Sequence, residues 1–123
     1  MLNFPLIVKL KGVSFNNAQD NIKIFAKPEI RWFAMVREPD NPDDKNAIRV
    51  ALFGLFFMGY IPKDVAAQLA PLMDSGRVFD AEYLYVARHP SHETVGFAVR
   101  IVEAPSLSER RSEIWEGGAE HGA

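Results

Sequence analysis

The chain has 123 residues, 48% of them hydrophobic and 24% charged, with a formal net charge of −2 and no cysteine. This length fits one domain, and a chain without cysteine has no disulfide, no thiolate zinc site and no thiol nucleophile. Residues 1–104 carry as many basic as acidic side chains. A strongly basic coat protein for nucleic acid is therefore excluded, whereas a small local binding site is not.

The sequence has no segment suited to crossing a membrane. The longest uncharged run contains Val50 to Ile61 and is much shorter than the roughly 20 apolar residues that a transmembrane helix needs. The N-terminus lacks the basic start and the small-residue cleavage site of a signal peptide. A cytoplasmic location without a membrane partner is therefore expected.

Alternating apolar and polar residues predict short β-strands along most of the chain. They are expected at 6–11, 21–26, 30–37, 47–52, 55–60, 78–87 and 95–102. The segment 14–20 is expected to be a loop, and Gly54 is expected to lie in a hairpin or a bulged pair. Prolines, asparagines and aspartates predict a polar turn over 38–46, and a second loop is expected at 88–94.

One main α-helix is predicted over residues 62–74. Pro62 suits the first helical position, the apolar residues fall on one stripe, and Gly76 favours the end of the helix. Pro71 is expected to kink the helix or to separate a short final turn. These elements predict a mainly β fold, a small OB-like or SH3-like Greek-key barrel of about six or seven strands with this helix inserted.

The chain is expected to divide into a barrel domain, residues 1–104, and a short C-terminal extension, residues 105–123. Ser106 and Glu109 have the spacing of a capping box, which predicts a second helix over about 107–115. A disordered tail is expected beyond it.

Catalytic and cofactor motifs are missing from the sequence. It has no G-x-S-x-G, no phosphate-binding G-x-x-x-x-G-K and no H-E-x-x-H. His89 and His92 could reach one metal from a turn, but zinc sites need three or four ligands, so an exposed loop is the simpler interpretation. Asp43 and Asp44 are adjacent and should point apart. We therefore predict no enzyme, no cofactor and no metal site.

Three features allow either a structural or a binding interpretation. The polar turn at 41–46 could serve only its own backbone, or it could present a carboxylate, amides and an ammonium group on a rigid barrel. Phe15 could be a stacking platform or a core anchor. Tyr60 could contribute to a site or be a strand-end tyrosine with its hydroxyl in water.

Four segments give the chain a resemblance to a known family. They are GVSFNNAQ at 12–19, VREPDNPDDKNAIRV at 36–50, MGYIPK at 58–63 and LAPL at 69–72. Together they resemble the HIRAN domain over roughly residues 6–103. This family occurs at the N-terminus of eukaryotic fork-remodelling helicases and as a free-standing bacterial domain, and the chain is similar to the latter.

The resemblance implies an OB-like barrel that binds the free 3′ end of single-stranded DNA in DNA repair or replication. By position, Phe15 matches a base-stacking aromatic residue and Asp44 matches an acid that accepts a hydrogen bond from the 3′-hydroxyl. Asn41 matches an amide that holds the phosphate, and Tyr60 lies where the helicases have histidine. The DNA-binding residues implied are Phe15, Asn16, Asn41, Asp43, Asp44, Lys45, Tyr60 and Lys63.

The chain departs from the helicase pattern at three of these loop positions. Ser14 replaces an arginine, Asn16 replaces an aromatic residue, and Asp43 replaces a stacking tyrosine. These departures favour a second hypothesis, a protein-interaction or adaptor module that has lost DNA-end binding. Its contact would be the apolar strand edge at 55–58 or the Ile114–Trp115 tail. Homodimerisation through the same surfaces is a third hypothesis, so the oligomeric state stays open.

Overall fold

The computed structural model describes residues 2–104, which form two helices and six strands. In chain order they are β1 (Leu6–Lys9), α1 (Ala18–Phe25), β2 (Trp32–Arg37), β3 (Ile48–Leu52), β4 (Phe56–Tyr60), α2 (Lys63–Asp74), β5 (Val78–His89) and β6 (His92–Ala104). The short helix and tail expected after residue 105 lie outside the described residues. No helix in the described part of the chain is long and apolar enough to cross a membrane.

The six strands form one antiparallel sheet in the order β1-β6-β5-β2-β3-β4. The two outer strands of this order meet at Lys11 and Tyr60, whose backbones exchange two hydrogen bonds of 2.8 and 2.7 Å. The sheet therefore curls round until its two ends touch at this one bridge. This confirms the prediction of a mainly β, OB-like barrel.

Gly59 permits this closure. Its φ is +146°, and a Cβ at this position would lie 2.9 Å from the carbonyl oxygen of Lys11. Only a residue without a side chain lets the two backbones approach so closely.

Helix α1 corrects two predictions, the strand over 21–26 and the loop over 14–20. Ala18 and Ile22 are fully buried, whereas Ile24 is 58% exposed, so the buried face follows helical spacing rather than alternation. Two side chains fix the helix across the barrel: Gln19 bonds to the backbone of β6, and Asn21 Nδ2 donates to the carbonyl of Phe57 in β4 at 2.9 Å. A run of six residues was too short for its period to be recognised.

Helix α2 confirms the predicted helix at 62–74. Pro62 precedes its first residue, and Ala66, Leu69 and Ala70 are its buried residues. The helix continues through Pro71 to Asp74, so no separate final turn is formed. Gly76 follows with a φ of +104°, and its N–H donates to the carbonyl of Met73. The helix leads from the end of β4 towards β5.

Both hairpins have tight turns. In the β3–β4 hairpin, Phe53 and Gly54 have φ values of 54° and 73°, as a type I′ turn requires, and the register shifts between Val50 and Ala51. This agrees with the predicted hairpin at Gly54. The loop predicted at 88–94 is shorter than expected, because β5 and β6 continue until His89 pairs with His92.

Candidate functional site

A surface cavity of about 450 Å³ lies beside the contact that closes the barrel. Three chain segments meet there: the loop after β1, the polar turn between β2 and β3, and the connection from β4 to α2. The lining residues are Lys11, Gly12, Phe15, Asn41, Asp43, Asp44, Ala47, Tyr60, Ile61 and Lys63. A cavity built from separate segments on a closed barrel is a typical place for a binding site.

Six of the eight residues proposed from the resemblance line this cavity. They are Phe15, Asn41, Asp43, Asp44, Tyr60 and Lys63. Asn16 and Lys45 do not line it; both are exposed neighbours of residues that do. The fold thus brings together segments up to 48 positions apart, and the binding roles of all eight residues stay predictions.

Phe15 and Tyr60 form an aromatic wall. The side chain of Phe15 is not a core anchor, because the residue is 62% exposed. Both rings lie against Gly12, where an added Cβ would be 3.1 Å from a ring carbon of each. Gly12 also has a φ of +64°, and its carbonyl accepts a hydrogen bond from the N–H of Phe15. A tight glycine turn therefore fixes where this wall stands.

The acidic side of the cavity is an internally bonded turn. Asn41 Oδ1 accepts hydrogen bonds from the N–H groups of Asp43 and Asp44 at 2.9 and 3.2 Å, and Asp44 Oδ1 accepts one from Asn46 N at 2.9 Å. The turn chemistry considered from sequence is therefore present. Asp43 and Asp44 line the cavity all the same, so the turn both satisfies its backbone and presents two carboxylates.

Sequence reasoning did not find Glu38, whose carboxylate joins the turn to the aromatic wall. Glu38 Oε1 accepts hydrogen bonds from Tyr60 Oη at 2.9 Å and from Asn41 Nδ2 at 3.0 Å, and Oε2 lies 3.5 Å from Arg49 Nη1. The pKa of Tyr60 is raised, first by burial and then by the bond to the Glu38 carboxylate. The interpretation of Tyr60 as a tyrosine with its hydroxyl in water is therefore wrong.

Arg37, at the end of β2, bonds to the last residues of the turn and to helix α2. Its guanidinium donates to the carbonyls of Ala47 and Lys45 at 2.8 and 3.1 Å, and to both carboxylate oxygens of Asp74 at the end of α2. The bond from Arg37 lowers the pKa of Asp74. Arg37, at the start of the turn, is thus bonded to its last residues and to the end of α2.

The charges around the cavity balance. Lys11 and Lys63 supply two ammonium groups, and Asp43 and Asp44 supply two carboxylates. Lys11 was not predicted from the sequence as a site residue. Its backbone pairing with Tyr60 places it beside the cavity. Such a set offers rings for stacking, acceptors for a hydroxyl and cations for a phosphate.

The described residues hold no group of three or more His, Asp or Glu side chains suited to a metal ion. The rings of His89 and His92 lie 4.7 Å apart at the tip of the β5–β6 hairpin.

The fold is that of a small OB-like barrel domain with a surface cavity beside the contact between the two ends of its sheet. The family model of the HIRAN domain matches residues 6–104, and the chain belongs to this family of small DNA-binding domains. The match is to the domain alone, since it covers one small DNA-binding domain and no catalytic domain of the relatives.

Known proteins similar to the chain include two large curated relatives. It is 50% identical over 42 residues to the helicase-like transcription factor of Oryctolagus cuniculus, and 42% identical over 40 residues to the Fanconi-associated nuclease 1 homolog of Arabidopsis thaliana. These alignments cover 34% and 32% of this chain but only 4% of each relative.

Two solved structures share the fold. The HIRAN domain of human HLTF matches with a TM-score of 0.58 and 20% identity, over 87% of this chain and 80% of that one. A protein from Lactobacillus plantarum matches with a TM-score of 0.59 and 20% identity, over 78% of this chain and 91% of that one. At this identity the likeness concerns the fold alone.

Proposed function

We propose that the cavity binds the free 3′ end of single-stranded DNA and that the domain serves DNA repair or replication. The observation that carries this proposal is the meeting of an exposed phenylalanine, two carboxylates and two lysines in one cavity on a member of this family. The cavity volume of about 450 Å³ suits one terminal nucleotide better than a length of strand.

The roles follow from the chemistry of each group. Phe15 stacks on the terminal base, which is worth about 1–3 kcal/mol. Asp44 accepts a hydrogen bond from the 3′-hydroxyl, and Lys63 and Lys11 lie close enough to the cavity to attract a phosphate. A carboxylate repels internal phosphates but accepts a bond from a hydroxyl, so it selects a strand end over a continuous strand.

The balanced charge predicts a weak dependence on salt. A single-strand contact contributes about −0.7 per phosphate to the log–log slope of affinity against salt, so two or three phosphates give about −1.4 to −2. Ser14, Asn16 and Asp43 replace one positive charge and two aromatic groups of the helicase pattern. Binding is therefore expected to depend on the end group more than on electrostatic attraction.

Fluorescence anisotropy with short oligonucleotides tests the proposal. A 3′-hydroxyl end should bind more tightly than a 3′-phosphate end, and equal binding to both would refute end recognition. Asp44→Ala should weaken binding to the hydroxyl end about tenfold to a hundredfold, since a hydrogen bond to a charged group contributes about 1.5–3 kcal/mol. Asp40→Ala is the matched control, because Asp40 is an exposed acid in the same turn that does not line the cavity.

A second function, protein interaction, is favoured by an apolar surface at the far end of the β3–β4 hairpin. This hairpin-tip patch consists of Phe53, Leu55 and Phe56, which are 79%, 79% and 39% exposed. Phe25 of α1 extends it, with its ring centroid 4.8 Å from that of Phe56. Met58, which was included in the expected strand edge, is fully buried and does not belong to it.

Leu55→Ser separates this second function from the first. Protein capture that is lost in Leu55→Ser, without a change in oligonucleotide anisotropy, would assign the patch to a protein partner. Light scattering of the same variant shows whether the partner is a second copy of the chain, since a dimer held by the patch would dissociate. Retention of capture by the variant would exclude the patch as the contact.

A further inference from the structure

We infer that Glu38 is a positioning residue that holds the acidic turn and Tyr60 in the arrangement that receives a strand end. The inference rests on the proposed function, because it concerns the same cavity. Glu38 itself does not line that cavity; it lines a neighbouring, more open depression that shares Asn41 and Tyr60 with the cavity.

One carboxylate oxygen connects two walls that come from different parts of the chain. Glu38 Oε1 accepts from Asn41 Nδ2 at 3.0 Å and from Tyr60 Oη at 2.9 Å. Asn41 belongs to the turn after β2, whereas Tyr60 ends β4. The side chain of Asn41 also interacts with the Tyr60 hydroxyl, so Glu38 accepts from both members of a three-residue cluster that joins the turn to β4.

The bond also fixes which way the Asn41 amide faces. With Nδ2 directed at Glu38, Oδ1 is left to accept from the N–H groups of Asp43 and Asp44. Glu38 therefore acts on both carboxylate residues of the cavity through Asn41. Asn41 thus has a structural part in the turn as well as a place in the lining of the cavity.

Glu38 is itself well held. Its side chain is 22% exposed, its Oε2 lies 3.5 Å from Arg49 Nη1, and its backbone N–H donates to the carbonyl of Ala47 at 2.9 Å. A partly buried, charged acceptor makes stronger hydrogen bonds than a neutral one. The carboxylate can therefore keep two donors in place while it stays in contact with Arg49.

Removing the acceptor should lower affinity by lowering the fraction of molecules that have the correct arrangement. If Glu38→Ala leaves the turn and Tyr60 correctly placed about a tenth of the time, the apparent Kd rises about tenfold. Glu38→Gln keeps an oxygen that can accept both bonds, so it should recover most of the affinity. Glu82→Ala is the matched control: Glu82 lies on β5, is 13% exposed, pairs with Arg31 and Arg100, and does not line the cavity.

A titration of the tyrosines supplies a readout that general loosening of the fold does not mimic. Ionisation is followed by absorbance, and Tyr60→Phe identifies the contribution of Tyr60. Both Glu38 variants should lower the pKa of Tyr60 towards its ordinary value, because the negative charge beside the hydroxyl is gone. Glu82→Ala should leave it unchanged.

The experiment measures affinity for a 3′-hydroxyl oligonucleotide, Tyr60 ionisation and thermal unfolding in the wild type, Glu38→Ala, Glu38→Gln and Glu82→Ala. Weaker binding by Glu38→Ala, recovery by Glu38→Gln and wild-type binding by Glu82→Ala support the inference. Wild-type affinity in Glu38→Ala, with the pKa of Tyr60 lowered, overturns it while the proposed function stands. If the wild-type protein does not distinguish the two strand ends, the proposed function fails first. Should Glu38→Ala not fold, Glu38→Met fills the same space without an acceptor and takes its place.

Discussion

Substitution of Gly12 by alanine tests whether the position of the aromatic wall matters for binding independently of the stability of the fold. An alanine there meets two obstacles: a φ of +64°, and a Cβ 3.1 Å from ring carbons of Phe15 and Tyr60. Gly54→Ala is a control that meets only the first, since Gly54 has a φ of +73° with open space around the added Cβ. Comparison of the two variants therefore isolates the effect of the rings.

The expected magnitudes differ for stability and for binding. A left-handed conformation costs a non-glycine residue about 1–2 kcal/mol, so both variants should unfold at a lower temperature, by roughly 4–8 °C per kcal/mol. Phe15 is exposed and can move away from the new methyl group, so the contact itself should add little to this loss. The displaced ring should instead cost most of its stacking energy, which weakens oligonucleotide binding about tenfold in Gly12→Ala alone.

Urea unfolding and fluorescence anisotropy on the wild type and both variants provide the measurement. Equal stability losses with a binding loss confined to Gly12→Ala are the expected result. Wild-type affinity in Gly12→Ala would refute the placement of the wall. A much larger stability loss in Gly12→Ala than in Gly54→Ala would show that Phe15 cannot move, and hence that it belongs to the packed structure.

Three further predictions concern stability. Phe53→Asn should raise the free energy of unfolding by about 1 kcal/mol, because asparagine tolerates the φ of 54° better than a bulky side chain does. Urea unfolding measures this gain, with Leu55→Asn as the control. Gln19→Ala should lower the free energy of unfolding by about 2–3 kcal/mol, because three hydrogen bonds to backbone groups of the loop after β1 and of β6 are lost. Gln68→Ala, at an exposed position of α2, should change the free energy of unfolding little. Asp74 has a lowered pKa in the folded state, so its pair with Arg37 stabilises the fold above the ordinary pKa of aspartate, about 3.9, and this contribution is lost as the pH falls through the lower folded value. The urea midpoint of the wild type should therefore fall more steeply with acid than that of Asp74→Asn, and identical slopes would contradict the assignment.

The barrel and most of the strands could be predicted because their patterns are local. The helix at 62–74 and the turn at 38–46 could likewise be predicted, because proline, glycine and asparagine occupy characteristic positions in them. Helix α1 could not be recognised, because Ile22 and Ile24 imitate strand alternation within a short run. Its identity depends on tertiary contacts, such as the bonds from Gln19 to β6, that join residues 76 positions apart.

The residues of the candidate site also differ in whether a local sequence pattern indicates them. Phe15, Asp43 and Asp44 stand in motifs that the sequence displays, and they do line one cavity. Glu38 was visible in the same motif, but its partner Tyr60 lies 22 positions further along, so nothing local indicated the bond between them. Lys11 entered the cavity only through its backbone pairing with Tyr60 when the sheet closes.

The cavity and the hairpin-tip patch lie at the two ends of the β3–β4 hairpin. Arg49 pairs with Tyr60 beside the cavity, and Leu52 pairs with Phe56 beside the hairpin-tip patch. The side chain of Arg49 contacts both regions, with Nη1 near Glu38 and Nη2 donating to the carbonyl of Gly54 at 3.1 Å. One guanidinium group therefore spans the hairpin, so a displacement of the tip at Gly54 would also move the charge that faces the Glu38 carboxylate.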